Sequence, residues 1–94
     1  MRESFIEEKL TKAVKQNGGV CWKFTSPGTA GVLDRIVLMP KGNIAFVEVK
    51  APGEKPRKLQ LSRHKLLRQL GFQVYVLDAL EQIGGIIDEI KSNL

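Results

Sequence analysis

The sequence has one cysteine, one histidine and no long apolar run in its 94 residues. With Cys21 alone, an intramolecular disulfide and a cysteine-rich zinc site are excluded. No apolar stretch approaches the roughly 20 residues that a bilayer-spanning helix needs. The first residues are mixed in charge and amphipathic, without the apolar centre of a signal peptide. An intracellular protein with no membrane span is therefore expected. Neither an internal repeat nor a low-complexity segment is present, and the length suits one domain, residues 1–94, with a single modest core.

What the chain does have is unevenly placed charge. A hydrophobic content of 43% with 27% charged residues fits an ordinary soluble globular chain. Fifteen Lys and Arg against ten Asp and Glu give +5. Seven of the basic residues (Lys50, Lys55, Arg57, Lys58, Arg63, Lys65, Arg68) stand between positions 50 and 68 against one acid, Glu54. Such a segment suits a polyanionic partner, most economically nucleic acid. A solvated helix face would read the same way.

Ile6, Leu10, Ala13 and Val14 predict a helix over residues 3–16, stopped by Asn17-Gly18-Gly19. "VCWKF" predicts a short strand, and "TSPGTAG" a loop of turn formers. Two apolar runs, Val32 to Met39 and Ile44 to Lys50, flank "PKGN" as a hairpin. After the loop "APGEKPR", a helix over 58–70 is predicted with Leu59, Leu66, Leu67 and Leu70 as its apolar face. "QVYVL" follows as a strand, and Leu80, Ile83, Ile87 and Ile90 outline a last helix weakened by Gly84-Gly85. The order α-β-β-β-α-β-α implies a mixed sheet flanked by helices. The fourth strand, reached through a helix, should run parallel to its neighbour.

The hairpin carries charge where apolar residues are expected: Asp34 at its start, Glu48 and Lys50 at its end. Buried charge is expensive unless paired or used. Side chains alternate along a strand, so Glu48 and Lys50 share a face. Asp34 joins them only if opposite positions sum to an even number, as when Asp34 faces Glu48 or Lys50. That requires an odd-length connection, such as a three-residue loop with Gly42 or Asn43 left-handed. Two carboxylates with completing waters suit Mg²⁺ or Mn²⁺, and a lysine beside them can touch an attacking water or a phosphate. A purely structural ion cluster fits the same spacing.

Asp34 followed by "VEVK", with Glu48 and Lys50 fourteen and sixteen residues later, resembles the PD-(D/E)xK nuclease core. With "GGVCWKF", the glycine loop, "KAPG", a following Gln and "GFQVYVLD", the chain closely resembles the VRR-NUC family of that superfamily, from about Ile6 to Asp78. The resemblance implies a small restriction-endonuclease-like α/β fold. It further implies Mg²⁺- or Mn²⁺-dependent hydrolysis of DNA phosphodiesters, with homodimers acting on branched DNA such as four-way junctions. Asp34 and Glu48 would then ligate the metal, with the Val49 carbonyl as a further ligand, and Lys50 would position or activate the nucleophilic water.

The family also places a glutamate on the first helix and a glutamine after "KAPG", which falls on Gln60. At roughly 100° per residue, the apolar centre of the first helix lies about 75° from Glu7 and nearly opposite Glu8. This selects Glu7 as metal ligand and catalytic residue, although a first-turn acid favoured by the helix dipole fits too. Leu33 stands where the superfamily has proline, so a looser backbone is expected there.

Lys55, Arg57, Lys58 and Arg63 are the expected DNA-backbone contacts. His64, four residues after Gln60, is either a further phosphate contact or an exposed helix residue without a role. Arg35 points to the other face, to support a helix or to meet DNA. Trp22 and Phe24 read as core on an inner strand, or as a base-stacking platform. Ile86, Ile87 and Ile90 are available as a dimer surface. The competing function is a nucleic-acid-binding module that has kept the fold without catalysis; cleavage of RNA or flap ends is a third.

Overall fold

The computed structural model describes residues 1–25, 28, 31 and 33–92. The turn formers Ser26, Pro27, Thr29 and Ala30, and Val32 at the expected start of the second strand, lie outside the described residues.

The elements follow the predicted order: α1 (Glu3–Gln16), β1 (Val20–Lys23), β2 (Arg35–Met39), β3 (Asn43–Val49), α2 (Lys58–Gln69), β4 (Gln73–Leu77) and α3 (Ile83–Ser92). Short 3₁₀ turns at Pro40–Gly42 and Leu80–Gln82 precede β3 and α3. The strands lie side by side as β1-β2-β3-β4. The first two pairings are antiparallel, whereas β3 and β4 are parallel because α2 carries the chain back between them.

The hairpin has the even register. Arg35 faces Val47 and Met39 faces Asn43, with Pro40, Lys41 and Gly42 as a three-residue connection. Gly42 adopts a φ of 75°, where glycine has no steric penalty. Lys41 is also left-handed, at 69°, an unexpected conformation for a residue with a Cβ.

Side-chain alternation then sorts the sheet. Val37, Met39, Ala45, Val47, Val49 and Leu77 meet Ile6, Leu10 and Val14 of α1 and Ile83, Ile86, Ile87 and Ile90 of α3. Fully burying each such side chain stabilises by roughly 1.5–3 kcal/mol. The three α3 isoleucines expected as a dimer surface are therefore core residues, at most 7% exposed. Helix α3 needs that face to cover the sheet beside α1.

The opposite face carries a smaller cluster, Leu33, Phe46 and Val74, with Phe24, Ile36 and Leu67 packed against it. Helix α2 lies on this side, and its orientation departs from the predicted one. Leu59, Leu66 and Leu70 are exposed, while Gln60 and His64 are buried and Leu67 partly so. Spacing of three and four residues puts Gln60, His64 and Leu67 on one stripe. Leu67 rests on the apolar cluster, whereas His64 lies over the charged end of β3, where it meets the buried Glu48. Strand β1 is an edge strand, so Trp22 is 60% exposed instead of core, whereas Phe24 packs on Phe46 at 5.8 Å between ring centroids.

Candidate active site

Asp34 sits one residue before β2, and continuing the ladder past Arg35↔Val47 sets it opposite Glu48. Its Oδ2 accepts a hydrogen bond from the Val49 N–H at 3.0 Å, and its carbonyl accepts one from the Phe24 N–H at 2.8 Å. The N–H and C=O of one strand residue point to the same neighbour, so the Val49 carbonyl turns to the Asp34 side. Lys50, next along, turns the other way, its N–H bonding the Leu77 carbonyl at 2.9 Å.

Glu48 is completely buried. Its Oε1 lies 2.8 Å from His64 Nε2. Its Oε2 meets Lys50 Nζ at 3.1 Å, an ion-pair contact without hydrogen-bond geometry, so that oxygen is buried with no hydrogen-bond partner. Burial pushes the Asp34 carboxyl above its ordinary range; the Val49 hydrogen bond opposes this, the charges of Glu48 and Glu7 add to it, and Lys50 offsets part.

Glu7 is held elsewhere. Arg35 donates to its Oε2 from Nε at 2.9 Å and from Nη2 at 2.6 Å, across the sheet face opposite Glu48. The expected α1 carboxylate of the site thus has one oxygen committed to a guanidinium, and Arg35 takes the helix-supporting role. Glu3, one turn earlier, was not singled out by the helix pattern. Burial raises its carboxyl, with Asp34 the largest charge acting on it and Lys50 the next. Glu3 and Glu7 therefore both share a field with Asp34, and Glu3 also feels Lys50. The sequence clue to Glu3 was its i, i−4 relation to Glu7, obscured by its place at the first residue of the helix.

No protein-family model matches the chain. A curated protein named "Putative nuclease p44", from Acyrthosiphon pisum secondary endosymbiont phage 1, is 53% identical over 79 residues, which span 84% of this chain and 85% of that one. A solved structure described as "VRR_NUC domain" superposes with a TM-score of 0.86 at 31% identity, covering 92% of this chain and 94% of the other. The chain belongs to the VRR-NUC family.

Membership makes it a nuclease by family, with the α/β fold the resemblance implied. In this VRR-NUC chain Leu33, standing where the superfamily has proline, is fully buried with Phe46 and Val74. Leu33→Ala should cost about 2–5 kcal/mol, read as a lowered midpoint in urea. Gly31, at a φ of 80°, lies close against α2; a Cβ there would lie 2.7 Å from Leu59 Cγ.

Gln60 Oε1 accepts from the Arg57 N–H at 2.8 Å and so closes the first turn of α2. Lys55, Arg57 and Lys58 are exposed around this turn. Arg63 is half-buried. His64, expected on the surface, is 1% exposed. It cannot reach a phosphate from there, because α2 turns it inward onto Glu48.

The residues also fit a divalent cation. Asp34 and Glu48 are hard oxygen donors whose mutual repulsion a cation would relieve, and one Glu48 oxygen is buried without a hydrogen bond. Among the described residues no three His, Cys, Asp or Glu side chains form a ready-made cage. Two carboxylates, a backbone carbonyl and waters would have to suffice, as Mg²⁺ with its retained waters allows.

Proposed function

We propose that the chain, acting as one nuclease domain over residues 1–94, is a Mg²⁺- or Mn²⁺-dependent endonuclease that hydrolyses phosphodiester bonds in branched DNA. What carries this reading is the meeting of Asp34, Glu48 and Lys50 at one end of the sheet in a family of nucleases. Asp34, Glu48 and the Val49 carbonyl would hold the cation, with Glu7, whose charge acts on Asp34 while Arg35 engages one of its oxygens, as the α1 carboxylate and Glu3 one turn away in the same field. When bound, the metal supplies neutralisation of the phosphoryl charge and a more acidic water.

The remaining work falls to the chain. Lys50, paired with Glu48 at 3.1 Å, keeps its ammonium where it can hold the attacking water or a phosphate oxygen. The Val49 N–H fixes the Asp34 carboxylate. Gln60 holds the start of α2, so that Lys55, Arg57 and Lys58 present their charges to the DNA backbone, contacts that carry no sequence information. Arg63 extends this surface. A homodimer would set two such sites on one branched substrate. The phage relative supports action inside a bacterial or phage-infected cell.

The test is a panel of duplex, flap, splayed and four-way DNA substrates with Mn²⁺ or Mg²⁺, run beside Asp34→Ala, Glu3→Gln and Glu7→Gln, with sedimentation measuring the dimer. Cleavage of branched substrates that needs metal, is lost in Asp34→Ala and falls in both Glu3→Gln and Glu7→Gln is expected. Binding without cleavage by the unaltered chain would favour a nucleic-acid-binding module.

A further inference from the structure

Glu48 and His64 form a contact that hydrolysis itself does not call for. The two side chains are 0% and 1% exposed, and they meet at 2.8 Å. We propose that His64 is a positioning residue: it holds the Glu48 carboxylate in the rotation that presents Oε2 to the divalent cation. The proposal rests on the metal site described above.

The last torsion of a glutamate side chain is broad and nearly two-fold, so an untethered carboxylate presents its oxygens in many orientations. Here the two oxygens are distinguished. Oε1 is engaged by His64 Nε2, whereas Oε2 is buried without a hydrogen bond beside Lys50. An ionised carboxylate accepts only, so Nε2 carries the hydrogen in this pair. Nδ1 is then buried with no partner. A histidine kept for stability alone would be expected to satisfy both ring nitrogens, since an unmet buried polar atom destabilises. This ring spends its one good hydrogen bond on Glu48.

Its own placement is determined by α2. Gln60 closes the first turn of the helix, and Leu67, three residues after His64, rests against the Phe46 and Val74 cluster. The imidazole is thus fixed at both ends of its stripe before any ligand arrives. Partners of metal-ligating groups act in this way, and their loss typically weakens metal binding by about 10–100-fold.

Calorimetric titration of the full chain with Mn²⁺, without DNA, separates the possibilities. The unaltered protein should bind, and Asp34→Ala should abolish binding. His64→Asn, too short to reach Oε1, should weaken Mn²⁺ by about 10–100-fold. His64→Gln, whose amide N–H extends to about the position of Nε2, should recover most of that affinity. In cleavage assays the Asn variant should need more Mn²⁺ yet approach the unaltered rate at saturation. Circular dichroism confirms folding, and His64→Leu serves as the donor-less variant if His64→Asn does not fold.

Mn²⁺ binding that is lost in Asp34→Ala but unchanged in the donor-less variant would overturn the positioning role and leave the metal site standing. Equal losses in the Gln and donor-less variants, in step with their melting temperatures, would make His64 structural only and overturn it too. No Mn²⁺ binding by the unaltered chain would overturn the metal site itself, and the positioning role with it.

Discussion

Asp34→Asn is expected to abolish cleavage and yet to raise the thermal midpoint of unfolding. The activity loss follows from removing one of two anionic oxygen donors; about 10²–10³-fold or more is the scale for removing one preorganised electrostatic group. The stability gain follows from the sign of the pKa shift. Burial holds the Asp34 carboxyl above its ordinary value of 3.8 in the folded chain. Across the interval from that value up to the raised one, the folded state binds more protons than the unfolded state. Stability therefore falls as pH rises through the interval, and the loss is complete above it. Asparagine keeps an oxygen for the Val49 N–H and carries no charge, so this contribution to the pH dependence should vanish. Melting curves from about pH 4 to pH 8 check it. Added Mn²⁺ should reverse the unaltered protein's loss more strongly at neutral than at acidic pH, since the metal needs the ionised ligand. The same additions should leave Asp34→Asn unmoved.

Lys50→Met should lower the cleavage rate by about 10²–10⁴-fold, the range for removing a group that handles the reacting proton. It should also destabilise, because it leaves Glu48 fully buried with only His64 beside it. Breaking one side of a buried ion pair costs about 3–5 kcal/mol, and the remaining His64 contact puts the expected loss at the low end. The double variant Glu48→Gln/Lys50→Met, which removes both charges, should regain much of that stability without regaining activity. Urea midpoints with cleavage rates on the two single variants and the double one separate these effects. A double variant no more stable than Lys50→Met would show that the ammonium acts on something other than Glu48.

Much of this site was legible because strand geometry is periodic. A period of two placed Glu48 and Lys50 together, and the requirement that Asp34 join them selected the three-residue turn observed between Met39 and Asn43. The α1 range and the parallel β3–β4 pair were equally readable, since each follows from local spacing or from chain connectivity. The pattern was less informative wherever an element's surroundings outweighed its own composition. Leucine spacing in α2 suggested an apolar face, but the strand beneath carries Glu48 near its end, and the polar Gln60 and His64 turned inward instead. Trp22 looked internal until β1 proved to be an edge. The isoleucines of α3 looked available until the sheet claimed them.

The sequence by itself determined the elements, the hairpin register and the grouping of Asp34, Glu48 and Lys50, because these depend on spacing along one or two strands. Only the tertiary structure decided that Arg35 engages Glu7, that Glu3 shares the field of Asp34 and Lys50, and that His64 closes over Glu48. Those relations join residues on separate helices and strands. They depend on how the helices are rotated against the sheet, which is settled by the balance of all buried apolar and charged groups and not by the pattern of any one segment.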